Sequence, residues 1–124
     1  MRVFRVLLIT GWSALVVYTA CVVARHGLDL LPVFFGDIAA VTWPGQFNTD
    51  FLCFLVLAAL WTAWRNDFSA GGLLLAALAF IGGAGFMLPY LLLLSIRARL
   101  GMPEVLMGAA RVRRWLAAQR SGEA

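Results

Sequence analysis

The chain has 124 residues, 63% of them hydrophobic and 13% charged, with a net charge of +4. Soluble domains run at about 45–50% apolar and 25% charged, so a mean hydropathy of +0.90 excludes a soluble monomer. Disorder needs low hydrophobicity and is excluded as well, which leaves a single integral membrane domain.

All ten basic residues are arginine, and six lie after residue 96: Arg97, Arg99, Arg111, Arg113, Arg114 and Arg120. In a membrane protein such a cluster marks the cytoplasmic face and anionic lipid. A basic tail also suits nucleic acid, but no nucleic-acid motif accompanies it, so no nucleic-acid partner is expected. Two cysteines and one histidine are too few for a structural zinc site. Neither a metal nor a cofactor is expected. Cys21 and Cys53 sit in apolar runs and read as small packing residues.

In chain order, Val6 to Ala24 is nineteen residues without a charge, flanked by Arg2 and Arg5 before it and by Arg25 and His26 after it. About 20 apolar residues cross the roughly 30 Å hydrocarbon core, so 6–24 is the first expected span. A signal peptide competes, because Arg2 and Arg5 make a basic start and Thr19-Ala20-Cys21 faintly resembles a lipoprotein cleavage site. Tyr18 is wrong for that site. Cleavage would also strand the arginine-rich tail outside, against the positive-inside rule.

Leu28 to Trp43 is short and holds Asp29 and Asp37. Leu31, Phe34, Phe35, Ile38 and Val41 share one helical face, with Asp29, Gly36 and Asp37 opposite. Asp29 is placed to cap the start, and Trp43-Pro44 to end it. The spacing predicts a short interfacial or re-entrant helix over about 29–42. The second span is expected over 44–64. It opens on a polar stretch, Pro44 to Asp50, and ends at the belt residues Trp61 and Trp64.

Ala70 to Ile96 is twenty-seven residues without a charge and makes the third expected span. Gly72, Ala76, Ala79 and Gly83 form a stripe of small residues along it, the pattern that lets helices approach closely in lipid. Gly82, Gly83 and Gly85 read as packing residues rather than a phosphate loop, since no strand precedes them and no Lys-Ser/Thr follows. Pro89 is expected to kink the helix. The tail, 101–124, is expected to form one basic amphipathic helix over about 103–120, with Val105, Ala109, Val112 and Leu116 on its apolar face.

Three spans with the start outside put seven arginines inside and three outside; four spans, with 30–43 also crossing, put eight inside and two outside. Charge favours four, whereas span length and Asp37 favour three. Three is the expectation, with the C-terminus cytoplasmic in either case. The three-span arrangement gathers Arg25, His26, Asp29, Asp37, Asp50, Arg97 and Arg99 at one end.

Asp50 is the strongest candidate for chemistry, since an ionisable residue within a span is costly and usually faces the bundle interior. It is either a proton or cation site, with Asn48 and Gln46 beside it, or half of an ion pair with Arg97 or Arg25. His26 could titrate near neutral pH or serve only as an anchor. Trp43, Trp61 and Trp64 read as interfacial residues before they read as a ligand cage. No nucleophile elbow and no CxxC is present.

His26-Gly27-Leu28-Asp29-Leu30, Phe34-Phe35, Asp50, Trp61 to Trp64 and Leu88-Pro89-Tyr90-Leu91-Leu92 follow one another in an order that resembles a known pattern. It is that of a family of small bacterial inner-membrane proteins classed as a domain of unknown function. The resemblance covers about residues 4–99 and implies a three-span bundle with a short helix between the first two spans. It implies no activity. Gly45-Gln46-Phe47-Asn48 and the tail after Gly101 depart from the pattern.

Three functions compete. The leading one is a non-enzymatic accessory or interaction subunit, associating through the Gly72/Ala76/Ala79/Gly83 stripe with itself or a larger membrane protein. The second is an oligomeric small transporter or proton-coupled carrier using Asp50. The third is a lipid- or quinone-related enzyme using Asp50 and His26 for acid–base work.

Overall fold

A computed structural model describes residues 1–122, so the last two positions assigned to the tail, 123 and 124, lie outside the described residues. The protein is all-helical: α1 Arg2–His26, α2 Leu30–Ala39, α3 Trp43–Arg65, α4 Ala70–Arg97, α5 Met102–Met107 and α6 Ala109–Gly122. Three of these, α1, α3 and α4, are long and apolar enough to cross a membrane. The chain is therefore a multi-pass membrane protein.

The core is the contact between α3 and α4, with α1 laid on α4 and α2 laid on α3. Gly72, Ala76, Ala79 and Gly83 are all buried, as a packing stripe requires. They make close approach within this chain, because lipid gives apolar helices little hydrophobic drive and leaves van der Waals contact to hold them. The stripe is thus covered by the protein itself.

α4 is not one straight rod. Gly83 stands at φ 50° and ψ −136°, between two helical stretches at 70–82 and 84–97. Only glycine adopts that backbone without steric penalty. In a straight helix residues 72 and 90 stand about 27 Å apart, at 1.5 Å per residue. Here both meet Asn66: a Cβ on Gly72 would lie 2.7 Å from the Asn66 Cβ, and Asn66 Nδ2 donates to Tyr90 Oη at 2.9 Å. The second half of α4 therefore runs back toward the end of α3. Its contacts follow α3 in parallel: Gly83 stands against Phe51 and Leu55, Thr62 Oγ1 lies 3.7 Å from Met87 Sδ, and Tyr90 lies beside Trp61. The break in α4 is at Gly83, six residues before the proline at which a kink is expected.

Pro89 still has a consequence. It has no N–H, so the Gly85 carbonyl four residues earlier loses its helical donor. Trp12 Nε1 donates to that carbonyl at 3.1 Å. One proline on α4 thus creates the acceptor that α1 needs. At the start of α1, Arg5 donates from Nη2 to the Ser95 carbonyl at 2.6 Å. Arg5, Gly11 and Trp12 meet Ser95, Leu88 and Gly85 respectively, so α1 runs antiparallel to the second half of α4.

Further expectations need correction. The tail is two helices, not one, because Gly108 at φ 88° ends α5. Val105 and Val112, one on each, are both buried, so the apolar face survives the break. α2 ends at Ala39, before Trp43-Pro44, and Pro44 instead opens α3 within its first turn. Cys21 and Cys53 are exposed rather than packed.

Candidate functional site

The polar candidates divide into three places. The first is the joint between α2 and α3. Gly45 is buried where the two helices meet, and a Cβ there would run into the Asp37 carbonyl oxygen. That approach brings the α2 backbone within reach of Asn48, one turn further along α3. Asn48 Nδ2 donates to the Phe34 carbonyl at 3.2 Å and to Asp37 Oδ2 at 3.3 Å. Thr49 Oγ1 donates to the Gly45 carbonyl at 2.9 Å. Asp37, expected on the polar side of α2, is half-buried against α3, while Val41, expected on the apolar face, lies beyond the end of α2 in the turn and is 90% exposed. The close approach at Gly45 brings Asp37 onto the inward face beside Phe34 and Ile38 of the apolar stripe. Beside the joint lies an open cavity of about 550 Å³ bordered by Ile38, Thr42, Trp43 and Gln46.

Asp50 does not join this cluster. Two positions beyond Asn48 is about 200° around a helix, and Asp50 is exposed. Nor does it pair with Arg97 or Arg25. Among the described residues the one ion pair is Arg111 with Asp67, at 2.5 Å.

The second place is a groove between the end of α1 and the start of α2, with a volume of about 570 Å³. It is lined by Tyr18, Val22, Leu30 and Val33 together with His26 and Asp29. The size and apolar lining fall within the range of small-molecule pockets. Asp29 occupies the N-cap position of α2, but its side chain makes no capping bond.

The third place was not singled out from sequence. At the far end of α3, Asn66 Nδ2 donates to both the Thr62 carbonyl and Tyr90 Oη, and Thr62 Oγ1 donates to the Ala58 carbonyl. Among the described residues no buried side-chain nitrogen or oxygen lacks a partner. Around this cluster three arginines each take carbonyls at a helix C-terminus, where the last turn leaves acceptors unused and favours a cation. Arg5 takes Ser95 on α4, Arg65 takes Val105 on α5 at 2.7 Å, and Arg111 takes Trp64 on α3. Arg111 also lies over the Trp64 ring, 4.1 Å from its centroid. Glu104 Oε2 accepts the Leu100 and Arg99 N–H groups, each at 2.7 Å. The Leu100 bond is the largest cause of a Glu104 pKa below the ordinary 4.5, with the Arg99 bond and the charges of Arg113 and Arg65 adding to it against a smaller desolvation effect.

Arg97 belongs to this third place, two residues after the Ser95 that Arg5 holds, and away from the Asn48 joint. Of the seven charged and titratable residues expected together, Arg97 and Arg99 leave the group, while Asp50 stays near the start of α3 with the rest. Arg25, His26 and Asp29 stay at the α1–α2 end and Asp37 at the α2–α3 joint, while Arg97 and Arg99 lie with Arg5, Arg65 and the tail. The doubling back of α4 is the reason. A signal for part of this was available in sequence: the residue four before Pro89 is Gly85, an acceptor that needs an outside donor.

Comparison with protein families, curated proteins and solved structures finds no match for the chain.

Proposed function

We propose that this is a small integral protein of the bacterial cytoplasmic membrane that acts as a non-enzymatic accessory or interaction subunit, with its C-terminus cytoplasmic. The observation that carries this reading is the state of α1. The helix is held through Arg5, Gly11 and Trp12, and all of its residues from Val16 onward are exposed. Thr10, Ala14, Cys21 and Ala24 recur along it at helical spacing, and all are exposed. Small residues of this kind are what membrane helices use to meet one another. They stand where the buried Gly72/Ala76/Ala79/Gly83 stripe cannot. A second copy or a larger membrane protein is the partner proposed for this face, with lipid covering the remainder and anionic headgroups meeting the tail.

Native mass spectrometry of the protein extracted in mild detergent tests the reading. Ala14→Leu should release the partner and leave the subunit folded. Ala79→Leu acts differently: its site is fully buried, and overpacking should cost about 1–3 kcal/mol of the subunit's own stability. Wild-type protein that emerges only as a monomer would contradict the reading.

The second reading is an oligomeric carrier. It rests on Asp50, which is exposed on a helix that can cross the membrane and would be covered in an assembly. Transport that survives Asp50→Asn would remove it. The third, a lipid- or quinone-directed enzyme, rests on the groove at His26 and Asp29.

A further inference from the structure

We propose that α4 enters and leaves the membrane on one face, and that this face is the surface seated on anionic headgroups of a single leaflet. The inference rests on the membrane reading above and adds which parts of the chain share a side.

Length is the first argument. The stretches 70–82 and 84–97 rise about 20 Å each, short of the roughly 30 Å core. Direction is the second. Residue 70 starts beside the end of α3, and Tyr90 has returned to it, bonded to Asn66. The apex at Gly83 is the third. Irregular backbone is tolerated at membrane depth where protein buries it, and Gly83 is buried against Leu55 and Phe51. The Gly85 carbonyl freed by Pro89 is taken by Trp12. A hairpin dipping into the bilayer needs both of these, and α4 has both.

Charge is the fourth argument, and it is independent of the geometry. With α4 doubled back, α1 and α3 are the two crossings, and the α1 start, the α3–α4 turn and the tail share one side. That side carries Arg2, Arg5, Arg65, Arg97, Arg99, Arg111, Arg113, Arg114 and Arg120, leaving Arg25 alone on the other. Nine to one is a sharper asymmetry than any arrangement with α4 crossing, and arginine asymmetry sets orientation. Arg5, Arg65 and Arg111 are engaged with helix ends. The other six are exposed, the state in which guanidinium groups reach lipid phosphates. The opposite side holds Asp29, Asp37 and Asp50.

Single cysteines in a Cys21→Ala/Cys53→Ala background test this, using a membrane-impermeant maleimide on right-side-out and inverted vesicles. Ala70→Cys in the α3–α4 turn and Ala118→Cys in α6 should label from the same side, and Leu28→Cys from the opposite side. Phe68→Cys repeats the turn position should Ala70→Cys fail to insert. Turn and tail labelling from opposite sides overturns the proposal and leaves the membrane reading standing. Protein that washes off with alkaline carbonate overturns both. In nanodiscs of phosphatidylcholine with a minor share of phosphatidylglycerol, Arg113→Gln/Arg114→Gln/Arg120→Gln should retain less phosphatidylglycerol than wild type. Equal retention would overturn the headgroup half.

Discussion

α1 and α4 are nearly equal in apolar character, yet α1 buries only Leu8 while α4 buries Gly72, Ala76, Ala79, Gly83 and Ser95. One is a continuous rod held through its first half; the other is folded in two and forms the centre of the bundle. The difference lies in their small residues. α1 contains a single glycine, Gly11, whereas α4 contains Gly71, Gly72, Gly82, Gly83 and Gly85, followed by Pro89. Hydropathy decides that a helix belongs in lipid. Glycine placement decides whether it can bend there and how closely it can pack. The two helices depend on each other, since α1 supplies Trp12 and Arg5 to acceptors that the ends and breaks of α4 leave open.

The strongest way to break this contrast is Gly83→Val. A Cβ there would meet Leu55 at 3.1 Å and Phe51 at 3.3 Å, on a backbone at φ 50°. Strain and overpacking together should cost about 3 kcal/mol or more. Thermal unfolding in detergent should show it as a large loss, and the same substitution at Gly71, where nothing lies within 4 Å, as a small one. Equal effects would mean that the break is incidental. Trp12→Phe is a milder probe. It keeps an aromatic ring and removes the donor to Gly85, and it should cost about 1 kcal/mol. Adding Pro89→Ala should rescue that loss, because an alanine N–H restores the helical bond to the Gly85 carbonyl.

The smallest expected effect is on the tail. The Glu104 pKa is lowered in the folded protein, so its contribution is present above the unfolded value of 4.5 and is lost as pH falls below it. Protonation removes the carboxylate that holds the Leu100 and Arg99 N–H groups. Amide exchange at those two positions should quicken in acid beyond the intrinsic trend, and Glu104→Gln should abolish that pH dependence.

Much of the fold was legible in the sequence. The uncharged runs and their arginine and tryptophan borders located α1, α3 and α4 to within a few residues, and lipid thickness dictates the length of α1 and α3. The stripe at Gly72, Ala76, Ala79 and Gly83 located the packing face. What was hidden depended on backbone angles. Gly82-Gly83-Ala84-Gly85 reads equally as a packing patch and as a reversal, and only the contacts of Asn66 distinguish them. That reversal moved Arg97 and Arg99 away from the other five residues expected with them. The inward turn of Asp37 was hidden for a similar reason: Gly45 sets the α2–α3 approach, and apolar periodicity carries no information on it. Asn48 was legible as a polar oddity in a span, but its part in joining α2 to α3 was not.

The central claim is that α4 doubles back, and the direct test is the distance between spin labels at Leu73→Cys and Leu93→Cys in a background without native cysteines, both sites being exposed. In one straight helix twenty residues separate them by about 30 Å. With α4 folded at Gly83 the two sites stand at similar height on adjoining helices whose axes are about 8–10 Å apart, and the distance should peak below about 20 Å. A single narrow peak near 30 Å would contradict the account.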